Sequence, residues 1–110
     1  MKIKREPTPF EQKVYAALKK IPVGKVTTYA ILAKHIGVNS ARAVGQALRR
    51  NPNAPAVPCH RVVRSDLTLG GYQGKTAGAG LKKKIALLEE EGVDIDQHRV
   101  SKKTKIYQFR

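Results

Sequence analysis

Signals that start and stop helices divide the first half of the chain into three short helices. The stretch Thr8-Pro9-Phe10-Glu11 combines a capping threonine, a proline at the first helical position and a glutamate that completes a capping box. Apolar residues then recur at helical spacing as far as Ile21, and Pro22-Val23-Gly24 ends this helix. Because a chain of 110 residues can bury only one modest core, we expect these helices to share a single domain.

The second and third predicted helices are separated by only a few residues. Thr27 or Thr28 can cap the second helix, and Gly37 ends it. Ser40 can cap the third helix, which Asn51-Pro52 closes. Two short helices joined so closely are typical of a helix-turn-helix. Many proteins that do not bind DNA contain such a pair, so the motif alone assigns no function.

The second half of the chain predicts short strands and one more helix. Arg61-Val62-Val63 has the composition of a short strand, and the glycine-rich loop from 70 to 80 matches no phosphate-binding fingerprint. A last helix follows, with one apolar face and Gly92 at its end. The apolar face consists of Leu81, Ile85 and Leu88.

The basic tail from 98 to 110 predicts a further strand through Val100, Ile106 and Phe109. Together these elements predict a mostly α fold with short strands that contains a helix-turn-helix candidate. The expected domain is residues 1–110, with 1–7 and 102–110 flexible.

Positive charge is concentrated where acidic residues are missing. The chain has 22 Lys and Arg against 8 Asp and Glu, a net charge of +14, and no carboxylate between Glu11 and Asp66. Soluble surfaces normally mix both signs, so this pattern favours a phosphate backbone as partner. A basic face without a partner is the alternative, and a membrane surface fits less well. Without an apparent secretory signal or spanning segment, we expect a cytoplasmic (nucleoid-associated) or nuclear protein that is not secreted.

Cys59 is the only cysteine, and it stands in Pro58-Cys59-His60-Arg61-Val62-Val63. One thiol cannot make a disulfide within the chain and is insufficient for a zinc site, so its alternatives are a buried, inert side chain or a nucleophile. The adjacent histidine and the basic surroundings favour the nucleophile. Glu89-Glu90-Glu91 also breaks a local rule, because carboxylates at the end of a helix oppose its dipole. Such a conflict indicates a place to look for function.

Five successive motifs of the chain resemble those of the O6-alkylguanine-DNA alkyltransferases. The resemblance runs from about Phe10 to Val93, and the Pro-Cys-His-Arg-Val string is its most specific part. The motifs are Ile21-Pro22-x-Gly24-x-Val26-Thr27-Thr28-Tyr29, Ala41-Arg42-Ala43-Val44-Gly45-x-Ala47-Leu48-Arg49-Arg50-Asn51-Pro52, Pro58-Cys59-His60-Arg61-Val62-Val63, Gly70-Gly71-Tyr72 and Leu87-Leu88-x-x-Glu91-Gly92.

The resemblance implies base extrusion followed by irreversible transfer of an alkyl group to the protein. Cys59 would accept the alkyl group, as a thiolate favoured by its basic surroundings and by a hydrogen-bonded histidine. His60 would take the thiol proton through a water, since neighbours on an extended chain point apart. Glu91 would hold His60, Tyr29 would donate to the departing guanine, and Asn51 would organise the active-site turn.

The resemblance also implies a winged-helix-like helix-turn-helix DNA-binding domain, with a DNA-binding face and an alkyl pocket. Arg42 would fill the place of the extruded base, with the recognition helix in the minor groove. The implied DNA-binding residues are Arg42, Ala41, Arg49, Arg50, Thr28 and Gly45. The implied pocket residues are Tyr72, Pro58, Gly71 and Val62. The expected partner is double-stranded DNA containing O6-alkylguanine, with O4-alkylthymine open as a second lesion, bound by a monomer without metal or organic cofactor.

Two departures from the family pattern leave points open. Leu67 stands where a glycine is expected after Ser65-Asp66, which leaves the turn shape open, and the loop from 73 to 80 looks longer than usual. The strongest rival is a damage-sensing relative that extrudes the base without transfer, although such relatives generally replace the cysteine. A plain winged-helix regulator and a Cys-His hydrolase are further alternatives.

Overall fold

The computed structural model describes residues 6–70 and 78–109. Three helices form the first half of the domain: α1 (Pro9–Leu18), α2 (Tyr29–Ile36) and α3 (Ala41–Arg49). Thr8 caps α1 in the predicted capping box, Thr28 caps α2, and Ser40 caps α3. Gly37 ends α2 with φ 91, a left-handed conformation that costs glycine little. The helix-turn-helix predicted from these residues is therefore present as α2 and α3.

The buried faces of the three helices form the first of two core clusters. Val14 and Leu18 of α1, Leu32 of α2 and Val44 of α3 are fully buried and belong to this cluster. The hydroxyl of Tyr15 donates a 2.8 Å hydrogen bond to the carbonyl of Ala47, which ties α1 to α3. This packing fixes the orientation of α3, whose opposite side faces solvent.

Short strands and the fourth helix surround the second cluster. β1 (Thr27–Thr28) pairs in parallel with β2 (Val62–Val63), and β3 (Ile95–Asp96) forms a hairpin with β4 (Arg99–Val100). The last helix, α4, spans Gly78–Glu90. The second cluster consists of Val26, Val63, Leu69, Leu88, Val93 and Val100. The two clusters meet at the β1–β2 pair, because Val62 belongs to the first and Val63 to the second.

The mostly helical fold with short strands is confirmed, and the departures from expectation are local. Cys59–Arg61 forms a 3₁₀ turn, so the expected strand is only Val62–Val63. The residues of β1 were expected only to cap a helix, and β3 was not expected. Two-residue strands carry too little periodicity to be recognised in a sequence.

The C-terminal stretch has defined contacts with the core. Ile106 forms a parallel bridge with Val26, and the amide of Tyr107 donates a 2.7 Å hydrogen bond to the carbonyl of Val26. Phe109 is outside any strand, and its ring stacks on that of His35 with 4.3 Å between centroids. These contacts join residues 106–109 to the core and to α2. Within the described residues, no helix has the length and apolar character needed to cross a membrane.

Candidate active site and DNA-binding face

Cys59 lies at the start of the 3₁₀ turn that leads into β2. Its side chain is buried, with 5% of the residue exposed, and its amide donates a 2.9 Å hydrogen bond to the carbonyl of Val57. The amide of Arg61 bonds the carbonyl of Pro58 at 3.1 Å and closes the turn. The premise that Cys59 and His60 lie on an extended chain was therefore wrong. In a 3₁₀ turn, with three residues per turn, neighbouring side chains point about 120° apart and not to opposite sides.

His60 and Arg61 share the carboxylate of Glu91. The Nε2 atom of His60 lies 2.9 Å from Oε2 of Glu91, and Arg61 donates from Nε to Oε1 at 2.9 Å and from Nη2 to Oε2 at 2.7 Å. Arg61 also donates to the carbonyl of Ile21 at 2.8 Å. A two-point bond between guanidinium and carboxylate is both strong and directional. The family resemblance implied that Glu91 holds His60, but it gave no role to Arg61.

The arrangement around His60 determines which ring nitrogen can take a proton. Nε2 faces a carboxylate, so it carries the hydrogen, and Nδ1 is left as the acceptor. Nδ1 is buried and has no hydrogen-bond partner among the described residues. Burial lowers the pKa of His60, against the opposing effect of Glu91, so the ring is neutral at pH 7. A neutral ring with a bare Nδ1 can accept a proton, directly or through a water.

The ionisation of Cys59 differs from the expectation for a nucleophile in basic surroundings. Burial raises its pKa, although a hydrogen bond from Asn51 and the charge of Lys84 act in the opposite direction. Burial works to raise the pKa of Glu91 too, but its bonds to Arg61 and His60 prevail and lower it. The thiol is thus protonated in the free protein, while the carboxylate stays charged.

Asn51 and Tyr29 approach the thiol from two other elements. Asn51 follows the end of α3 and is buried; its Nδ2 donates to the carbonyl of Val57 at 2.8 Å, and its Oδ1 accepts from the amide of Asn53 at 3.0 Å. Tyr29 is the first residue of α2 and is half-buried. Burial raises the pKa of its hydroxyl, Arg64 lowers it, and Cys59 raises it further. The hydroxyl therefore remains protonated at neutral pH and can donate.

Lys84 is a buried charged residue that the sequence analysis missed. Its side chain is fully buried, and Nζ donates to the carbonyl of Val62 at 2.8 Å and to that of Leu69. Burial lowers its pKa to about 7, opposed by the nearby Cys59. A signal was available: Lys84 lies three residues after Leu81 and four before Leu88, inside the apolar stripe of α4.

The residues implied in DNA binding are not all exposed. Arg42 and Arg49 are exposed on α3, as is Ala41, and neither arginine pairs with an acidic residue within 6–70 or 78–109. Arg50 is 56% exposed, and its Nη1 lies 3.6 Å from the buried Glu11. Gly45 is half-buried, and a Cβ built on it would meet nothing within 4 Å.

The remaining implied residues have other surroundings. Thr28 is buried as the cap of α2, where its hydroxyl accepts from the amide of Ile31 at 3.1 Å, so it is not part of an exposed face. Pro58 is buried before the turn, and Val62 is fully buried in the first core cluster. Gly71 and Tyr72 lie outside the described residues. Of the four implied pocket residues, only Pro58 and Val62 can therefore be placed, and both are buried.

The fold and the residues around Cys59 together define a class of protein. It is a helix-turn-helix domain in which a buried cysteine and its neighbouring histidine lie near the end of α4, where Glu91 bonds the histidine. The family described as 6-O-methylguanine DNA methyltransferase, DNA binding domain, matches residues 9–93. The chain belongs to this family.

Individual relatives agree with the family assignment. A methylated-DNA–protein-cysteine methyltransferase of Methanosarcina acetivorans is 45% identical over 93 residues, which are 84% of this chain and 56% of that protein. A crystal structure of the Mycobacterium tuberculosis O6-methylguanine methyltransferase superposes with a TM-score of 0.69 at 45% identity, covering 78% of this chain and 50% of the other. The chain thus spans about half the length of the curated relatives it matches.

A second solved structure is similar along most of both chains. S. pombe Atl1, solved in complex with damaged DNA containing O6-carboxymethylguanine, superposes with a TM-score of 0.72 at 39% identity and covers 84% of each chain. The similarity therefore extends to a protein observed on damaged DNA.

Proposed function

We propose that this protein removes the alkyl group of O6-alkylguanine in duplex DNA by transferring it once, irreversibly, to Sγ of Cys59. The observation that carries the proposal is the state of His60. Its Nε2 is held by Glu91, its buried Nδ1 is left as an acceptor, and the residue is the chain neighbour of the single cysteine. This arrangement provides a proton acceptor for a thiol that burial keeps protonated.

In the proposed reaction Sγ attacks the alkyl carbon while the bond between that carbon and O6 breaks. The thiol proton passes to Nδ1 of His60, directly or through a water, and Tyr29 donates a hydrogen bond to the departing guanine. As the bond to O6 breaks, the departing guanine takes a proton from the Tyr29 hydroxyl, and the imidazolium of His60 then returns its proton to Tyr29 through solvent. In sum, the proton that Cys59 loses ends on guanine, so no cofactor is consumed. Glu91 stabilises the imidazolium that forms, and Arg61 holds Glu91 in place.

The target carbon is inaccessible inside a stacked duplex, so the base must leave the helix. The exposed face of α3 is the surface we assign to DNA, with Arg42 inserted in the vacated space and Arg49 on the backbone. This assignment is supported by their lack of ion pairs in the described ranges 6–70 and 78–109. Arg50 would contribute less, because it is already engaged by Glu11.

A second candidate function is binding to damaged DNA without transfer. The similarity to Atl1 over 84% of each chain favours it, because that protein was solved on DNA containing O6-carboxymethylguanine. The presence of Cys59 beside His60 favours transfer instead.

The test is intact-protein mass spectrometry after incubation with a duplex that contains one O6-methylguanine. We expect one methyl-for-hydrogen replacement, mapped to Cys59 and absent in Cys59→Ser. If the mass is unchanged and the protein binds the lesion selectively, the protein binds damaged DNA without transferring the alkyl group. An unchanged mass without lesion preference would leave a basic DNA-binding domain only.

A further inference from the structure

Arg64 is a cation near Tyr29 that has no part in the proposed reaction. It follows β2 directly, and its amide donates to the carbonyl of Thr68 at 2.9 Å. Its carbonyl accepts from the amide of Leu67 at 2.8 Å. Leu67 adopts φ 71, the left-handed conformation for which the family uses glycine, so the turn forms despite the substitution. The main chain of Arg64 is thus fixed by a closed turn.

The side chain of Arg64 lies beside the hydroxyl of Tyr29. A Cβ built on Gly70 would be 3.1 Å from the Tyr29 hydroxyl and 3.7 Å from Cγ of Arg64, so both groups border the same point. Arg64 is nevertheless exposed as a residue, and it forms no ion pair with any residue in 6–70 or 78–109. Because its Cγ borders the same point as the Tyr29 hydroxyl and the residue is exposed, Arg64 brings a positive charge to the surface near Tyr29.

The electrostatic reach of Arg64 agrees with this placement. It lowers the pKa of Tyr29 against the larger effect of burial, and it contributes to the lowered pKa of Lys84. Cys59 influences the same two groups. Arg64 and Cys59 therefore both lie close enough to Tyr29 and Lys84 to affect their pKa values.

An extruded nucleotide brings its own negative charge to this point. When the base enters the site beside Cys59 and Tyr29, the phosphates that flank it must stay at the opening. Arginine suits such a phosphate because its planar guanidinium can donate two parallel hydrogen bonds. We propose that Arg64 binds a backbone phosphate next to the extruded nucleotide and so holds the base in the site.

This assignment rests on the proposed function. It gives Arg64 a role that differs from that of the arginines on α3. A phosphate contact on α3 is made whether or not a base is extruded. A contact by Arg64 is made only when the nucleotide is in the site. Arg49, which is exposed on α3, is therefore the matched control.

The experiment compares Arg64→Gln and Arg49→Gln on two substrates: a duplex with one O6-methylguanine, and the free alkylated base, which has no phosphate. For Arg64→Gln we expect transfer from the duplex to slow about 10- to 100-fold, the size of a lost charge-assisted hydrogen bond. Transfer from the free base should be unchanged, and Arg64→Lys should recover part of the rate. Arg49→Gln should weaken binding to lesion and unmodified duplexes alike.

An equal loss on both substrates would overturn the assignment, because Arg64 would then act through Tyr29 or the turn. Unchanged transfer from the duplex would overturn it as well. If the wild-type protein transfers nothing to Cys59 from either substrate, the proposed function fails instead. The ratio of affinities for lesion and unmodified duplexes then tests Arg64: the assignment requires Arg64→Gln to lower this ratio and Arg49→Gln to leave it unchanged.

Discussion

The centre around Cys59 and the exposed face of α3 satisfy their polar groups in opposite ways. In the centre, the carboxylate of Glu91 is bonded to His60 and Arg61, which lie 31 and 30 residues away in the chain. On α3, Arg42 and Arg49 have no ion pair with residues 6–70 or 78–109. Within residues 6–70 and 78–109, Nδ1 of His60 is the buried side-chain nitrogen without a hydrogen-bond partner, whereas on α3 whole guanidinium groups are left for an external anion.

This difference predicts that the proposed transfer reaction and the affinity for DNA depend on separate sets of residues. Substitutions in the buried centre should change the reaction or the fold, since they remove partners that water cannot replace. Substitutions on the exposed face should change affinity for DNA and leave the fold intact. The same contrast accounts for the acidic end of α4. Glu91 opposes the helix dipole but gains three bonds from His60 and Arg61.

The strongest test of this separation is His60→Phe, which keeps a ring but removes both nitrogens. We expect the single-turnover transfer rate to fall about 100- to 10,000-fold, the usual contribution of a general base. Affinity for an unmodified duplex should not change. His35→Phe is the control, because His35 is exposed on α2 and stacks on Phe109. An equal rate loss in the control, or none in His60→Phe, would contradict the assignment of His60.

A smaller effect is expected from Lys84→Met, measured as the free energy of unfolding against pH. Lys84 has a folded-state pKa of about 7, below its ordinary 10.5, so the unfolded chain binds more protons between these values. Wild-type stability should therefore gain about 2 kcal/mol from this group between pH 7 and pH 9. Lys84→Met should lack that gain.

Because Cys59 and Tyr29 titrate in both proteins, the informative quantity is the difference between wild type and variant. Lys83→Met, the exposed neighbour, should follow the wild type. A difference between wild type and Lys84→Met that is constant with pH would show that Lys84 is not a buried, titrating charge.

The smallest effect is expected from Gly45→Ala on α3. A Cβ there meets nothing within 4 Å, so the helix should gain about 1 kcal/mol from alanine's higher propensity. Affinity for duplex DNA should fall, because the added methyl group occupies the open space that we assign to DNA. Gly37→Ala is the contrast: it also has open space, but its φ of 91 should make alanine cost about 1 kcal/mol. A Gly45→Ala protein that gains stability and binds DNA as tightly as wild type would remove Gly45 from the interface.

Much of the fold was predictable because its signals are local. Thr8, Thr28 and Ser40 cap the helices as expected, since a cap bonds an amide three residues away. The strand pairs and the burial of Lys84 were not predictable, because each depends on a segment distant in the chain. The bonds from Lys84 reach residues 22 and 15 positions earlier.

The sequence by itself determined the helix-turn-helix, the basic half of the chain and the juxtaposition of Cys59 with His60. These follow from short-range capping, from charge counts and from covalent neighbours, none of which needs a folded chain. Only the tertiary structure decided that Arg61 shares Glu91, that Thr28 is buried and that burial raises the pKa of Cys59. Hydrogen bonds between distant segments and removal from water arise only when the core closes, so composition and spacing cannot specify them.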